Sequence, residues 1–101
     1  MLGQILELYS RCGESLIGNG LKEAVLPISD AYFACDLFMQ NHLIVLGGDL
    51  YIKNTTGGFD CFYANWFYSG VSSMASIQEA RAYLTQFKGR KLYVSFVLKT
   101  P

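Results

Sequence analysis

Charge of either sign is scarce in this sequence, and what there is balances. Only 16% of the 101 residues are Asp, Glu, Lys or Arg, eight acidic against eight basic, for a formal net charge of zero. A neutral chain exerts no global pull on nucleic acid. Histidine occurs once, at His42, and the three cysteines, Cys12, Cys35 and Cys61, lie far apart without a Cys-x-x-Cys pair. That removes the common zinc and dithiol spacings. The longest apolar run, Leu43–Gly48, is far too short to span a bilayer. The N-terminal stretch MLGQILELYSRCGESL lacks a basic leading region and carries Glu7 within its apolar part, so it does not read as a signal peptide. These absences describe a cytoplasmic protein whose cysteines stay reduced. Each cysteine falls at an apolar position of its segment and is expected in the core.

What is abundant is apolar surface: 51% of residues are hydrophobic and 15% aromatic. A chain of this length holds one core, so residues 1–101 are read as a single domain. Ile5, Leu8, Tyr9, Cys12 and Leu16 share one helical face, and Gly18-Asn19-Gly20 is the expected stop. Leu21–Leu26 reads as a connection or helical turn. Pro27 suits the first position of a second helix over Ile28, Ala31, Tyr32, Cys35, Phe38 and Met39, with Ser29 or Asp30 serving its first amides. That helix runs to about Gln40 and exits at Asn41-His42.

The period then switches to two. Leu43 to Ile52 and Phe59 to Tyr68 form a hairpin around the Lys53-Asn54-Thr55-Thr56-Gly57-Gly58 turn. Simple alternation puts Ile44, Leu46, Leu50 and Ile52 on one face of the first strand. Leu43, Val45, Asp49 and Tyr51 take the other. Ser76-Ile77-Gln78-Glu79 fits a capping box that opens a third helix, closed by Lys88-Gly89. Leu92, Val94, Phe96 and Leu98 mark a last strand. The expected fold is α+β, ordered α-α-β-β-α-β, with a three-stranded antiparallel sheet of order 2-1-3 packed on helices.

Gly47-Gly48 precedes a strand rather than a helix, so it lacks the context of a dinucleotide or phosphate loop. Glycines inside a strand indicate a bulge or a close backbone approach. Asp49 is the least expected side chain there, and a partly buried carboxylate needs a partner. Asp60 is its only candidate second carboxylate for acid–base work, and His42 at a helix exit has no nucleophile beside it. Neither a metal nor a cofactor is expected. The concentration of Tyr51, Phe59, Phe62, Tyr63, Trp66, Phe67 and Tyr68 on one hairpin is the strongest signal. One face must be core, and the other is free for protein recognition, where Trp and Tyr dominate. Base stacking is a poorer fit, because Lys53 is the hairpin's one cation against Asp49 and Asp60.

Leu46-Gly47-Gly48-Asp49-Leu50-Tyr51, the Asn65-Trp66 pair, and the later helix with Ala80 and Tyr83 resemble the immunity protein 40 family. That family belongs to bacterial polymorphic toxin and contact-dependent inhibition systems. Ala24-Val25-Leu26-Pro27 and the helix after it extend the resemblance over roughly residues 21–98. It implies a non-enzymatic cytoplasmic protein that binds and neutralises a cognate toxin domain, with neither nucleic acid nor membrane as partner. Asp49, Tyr51, Asp60, Trp66 and Tyr68 are the expected contacts. A small-molecule or enzymatic domain with Asp49 in a pocket, and a homo-oligomeric module, stay open as alternatives. An excess of acid through residue 60, seven acids against three bases, would suit a basic toxin surface. The remainder has one acid against five bases.

Overall fold

The computed structural model describes residues 2–15 and 24–100. Its elements in chain order are α1 (Leu2–Cys12), β1 (Glu14–Ser15), β2 (Ala24–Pro27), α2 (Ile28–Gln40), β3 (Ile44–Lys53), β4 (Phe59–Phe67), α3 (Ser73–Thr85) and β5 (Tyr93–Lys99). One antiparallel sheet runs in the order β1-β2-β5-β3-β4. The expected arrangement of three strands is preserved as β4-β3-β5. The sheet nevertheless has five strands, because β1 and β2 extend it beyond β5. Residues 24–26, expected within a connection or helical turn, and Pro27, expected to open the second helix, form β2, pairing Leu26 with Val94 and Pro27 with Tyr93. The first helix ends at Cys12, where the Gly13 amide donates to the Tyr9 carbonyl at 2.9 Å. Leu16 and the Gly18-Asn19-Gly20 stop lie outside the described residues.

The second helix ends where its pattern ends, at Gln40. Its start differs slightly. Pro27 precedes the first helical residue, no side chain caps the end, and the Ile28 amide is taken by the Leu92 carbonyl at 2.9 Å. At the exit, His42 adopts φ 57° and stays exposed.

The third helix begins three residues before the expected box. Ser72 is its cap, accepting from the Ala75 amide at 3.1 Å. Ser76 therefore sits inside the helix, fully buried, with a different task. Its Oγ accepts from the Val45 amide at 2.9 Å and donates to the Ser73 carbonyl at 2.7 Å. The helix also ends early, at Thr85, and the chain turns at Gly89 with φ +84° rather than carrying a basic last turn.

The expected glycine bulge is present. From Val45 to Gly47, β3 advances two residues while β5 advances one, Leu98 to Val97. An extra residue reverses the alternation. Leu43 and Val45 before the bulge and Leu50 after it all enter the core beneath the helices, which corrects the face assignment made by uninterrupted alternation. One part of that core joins Leu8, Leu26, Phe38, Val45, Ile77 and Ala80. The other joins Ile28, Leu50, Leu84, Leu92 and Val94, and Trp66 and Phe96 pack against both. Each large aliphatic or Phe buried there contributes about 1.5–3 kcal/mol.

Ser76→Ala leaves the buried Val45 amide without an acceptor and is expected to cost about 1–3 kcal/mol in urea unfolding. Gly48→Ala would set a Cβ 2.6 Å from the Trp66 ring and is expected to destabilise by at least about 1–3 kcal/mol. An unchanged denaturation midpoint for either variant would contradict the packing described.

Candidate partner-binding face

The described helices pack on one side of the sheet. Alternation after the bulge sends Asp49 and Tyr51 of β3 to the far side, with Tyr93, Ser95 and Val97 of β5. Cys61, Asn65 and Phe67 of β4 join them. The register sets these in rows: Ser95, Asp49 and Asn65 lie side by side, as do Val97, Gly47 and Phe67.

One half of this far side is closed by its own side chains. Val25, Tyr51 and Phe59 form a small buried cluster with Tyr93 against it. Phe59 and Tyr93 meet edge to face at 5.0 Å. Above them the Lys53 ammonium lies 5.8 Å from the Phe59 ring centre and 2.7 Å from Glu14. The hydrogen bond to Glu14 holds the Lys53 pKa above its ordinary value.

The other half is open. Tyr63 is 92% exposed, Phe67 80% and Val97 45%, far above what isolated apolar side chains on a surface require. A shallow cleft of about 300 Å³ lies beside Phe67 and Val97, lined also by Gly47, Gly48, Asp49 and Asn65 among others. Asp49 is half-buried in it, and none of the ion pairs among the described residues includes it. Tyr63 reaches solvent through a second irregularity. Between the Asp49–Asn65 and Tyr51–Cys61 pairs, β3 advances two residues and β4 four. Tyr63 sits in that bulge with φ 61°, a left-handed conformation that costs an aromatic residue about 1–3 kcal/mol. Because the insertion is an even number of residues, Phe62 and Ala64 still pack inward against the helices.

The five residues singled out in the sequence do not come together. Asp49 lies at the centre of the open half, and Tyr51 is buried in the closed half. Asp60 is exposed near the hairpin turn, its Oδ1 accepting from Asn54 Nδ2 at 3.3 Å. Trp66 belongs to the helix side, where its ring stacks on Tyr83 at 5.0 Å, meets Phe96 edge-on at 6.1 Å and covers Gly48. Tyr68 is half-buried behind β4, and its hydroxyl accepts from the Ser72 amide at 3.1 Å. Asp60 follows Phe59 and so faces away from Asp49, which separates the only two carboxylates considered for acid–base work. Tyr63, Phe67 and Val97 were passed over as named contacts. The usable signal was the pairing of Trp66 with Gly48: a ring needs the glycine beneath it, so the residues flanking Trp66 point outward.

Cys61 corrects the expectation of three core cysteines. It is exposed on the far side of the sheet, while Cys35 is buried and Cys12 half-buried. Among the described residues, no group of three or more His, Cys, Asp or Glu could hold a metal. No described helix is long and apolar enough to cross a membrane. What the open half offers is apolar and aromatic contact around one carboxylate, the anatomy of a protein-recognition surface.

A family model described as Immunity protein 40 matches residues 15–98. No curated protein and no solved structure matches the chain.

Burial pushes the Cys35 thiol up to about 11, with the Arg81 charge opposing weakly. At pH 8 a thiol reagent is therefore expected to modify Cys61 within minutes and to reach Cys35 only on unfolding, because the thiolate is the reacting form. Mass spectrometry of the labelled native chain checks this. Modification of Cys35 at the rate of Cys61 would contradict the placement of the two side chains.

Proposed function

The chain belongs to the Immunity protein 40 family, and on that premise we propose that it binds and neutralises a cognate toxin domain, one to one, in the cytoplasm of the cell that makes it. It acts as a stoichiometric inhibitor within a polymorphic toxin or contact-dependent inhibition system and not as an enzyme. The observation that carries this reading is the open half of the sheet. There, Tyr63, Phe67 and Val97 stand exposed around the half-buried Asp49 carboxylate. Large side chains held on a sheet lose little conformational freedom on docking, and a surrounding apolar rim strengthens a central charge by excluding water. The neutral chain and the lack of a basic cluster on this face favour a protein over a nucleic acid.

Of the residues named from sequence, Asp49 is the proposed central contact and Asp60 lies toward the hairpin end. Tyr51 supports the face from its closed half, and Trp66 from the helix side of the sheet; Tyr68 lies behind β4. The bulge at Tyr63 interrupts the outer edge of β4, so recognition proceeds through side chains rather than by addition of a toxin strand.

The test uses the toxin domain encoded in the reading frame beside this one. Calorimetry is expected to give a 1:1 complex, with toxin activity lost at equivalence. Tyr63→Ala, Phe67→Ala and Asp49→Ala are each expected to weaken binding by about 2 kcal/mol or more, roughly thirtyfold. Their thermal midpoints should stay close to the parent value because their side chains do not fill the core. Trp66→Ala should instead lower the midpoint. Full affinity in all three surface variants would reject this face, and failure of the parent chain to bind would reject the function.

A further inference from the structure

A second concavity lies at the other end of the molecule and shares no lining residue with the cleft around Asp49. It has a volume of about 540 Å³ and lies between the start of α2, the turn before β5 and the first residue of β5. Three cations, Lys88, Arg90 and Lys91, belong to its wall, and no acidic residue among the described ones does. Its remaining surface is largely apolar and aromatic, from Ile28, Tyr32, Leu92 and Tyr93. We infer that this cavity binds a small organic anion, its carboxylate or phosphate head among Lys88, Lys91 and the start of α2 and its apolar body against Tyr32 and Leu92.

Several independent features support that assignment. The size lies within the range of small-molecule sites, and a few charged groups on an apolar wall is their usual composition. A bare inorganic anion would leave most of the space unfilled, which calls for an organic body. The first turn of the 13-residue α2 has no side-chain cap; its Ile28 amide is taken by the Leu92 carbonyl, and the positive end of the helix dipole adds to the cavity at Ser29. Tyr32 lines the cavity with its ring, and its hydroxyl is buried away from water. Asp30, the nearby acid in sequence, does not line the cavity and interacts electrostatically with Arg11 of α1. Arg90 is held with its guanidinium carbon 4.9 Å from the Phe62 ring centre. Lys88 and Lys91 are exposed and are the cations free to close on an anion.

The assignment is independent of toxin binding and is tested on the full chain alone. Phenyl phosphate, inorganic phosphate and phenol are titrated separately at constant ionic strength while backbone amide resonances are followed. Phenyl phosphate is expected to shift the Ser29, Ala31, Lys91 and Leu92 amides saturably. Inorganic phosphate should act at the same place at least tenfold more weakly, and phenol should not saturate. Lys88→Gln with Lys91→Gln is expected to lower phenyl phosphate affinity at least tenfold without moving the thermal midpoint. Absence of saturable shifts around the cavity at millimolar phenyl phosphate would overturn the inference. So would equal binding of phenol, or affinity unaffected by the paired lysine substitutions.

Discussion

The fit of Trp66 over two glycines organises both sides of this sheet. A side chain at Gly48 would meet the indole ring at 2.6 Å, and one at Gly47 would meet the Trp66 carbonyl oxygen at 2.2 Å. With both absent, β4 and its tryptophan press against β3, and the ring reaches Tyr83 on α3. The height of α3 over the sheet follows from that stack. The same irregularity explains Ser76. Where Leu46 bulges out of register, the Val45 amide has the Ser76 hydroxyl on α3 to accept it, so the helix is fastened to the strand by a hydrogen bond as well as by apolar contact. The indole N–H is left without an acceptor among the described residues. A buried orphan of that kind costs about 1–3 kcal/mol, which the ring contacts with Tyr83 and Phe96 must offset.

The legible parts of the fold were those with many repeats of one period. The 13 residues of α2, the β3–β4 hairpin and β5 all carry long patterns, and their relative order in the sheet follows from the apolar centre of β3. By contrast β1 has two residues and β2 four, too few to establish a period, and what makes β2 a strand is its distant pairing with β5. Ser76 was misread for another reason. Its local pattern satisfies a capping box, but Ser72, four residues earlier, takes the cap, and the tertiary bond to Val45 claims the later serine. The candidate site was legible as a hairpin and illegible as a face. One bulge, between Val45 and Gly47, separates sequence parity from spatial side in β3, so Asp49 and Trp66 were named together as contacts although they lie on opposite sides of the sheet.

Charge shows the same mixing of local and distant effects. The acidic first part and basic last part of the chain are partly interleaved by folding, since Asp36 on α2 pairs with Arg81 on α3. Glu14 is occupied by Lys53 within the first part. Exposed pairs of this kind contribute little stability, with a median of about 0–1 kcal/mol. Their larger effect is on what is left over. Among the described residues, Lys88, Arg90 and Lys91 keep company at one cavity without an acid in its wall, while Asp49 forms no ion pair on the far side of the sheet. The molecule is neutral in sum and polar by site.

Edge strands constrain how such a surface can be built. The outer edge of β4 exposes backbone hydrogen-bonding groups beside a row of aromatic side chains, a combination that invites pairing with another strand. A regular β4 would therefore bring recognition and self-association together. The bulge at Tyr63 separates them. Its left-handed residue breaks the run of extended backbone that an added strand would need, and the same distortion drives the tyrosine ring clear of the sheet. Phe62 and Ala64 on either side stay packed toward the helices, so burial of the neighbours holds the distortion in place against its cost. Recognition through side chains, protection of the edge and stability of the hairpin thus depend on one local conformation, and a change that regularised β4 would gain backbone comfort while losing the surface.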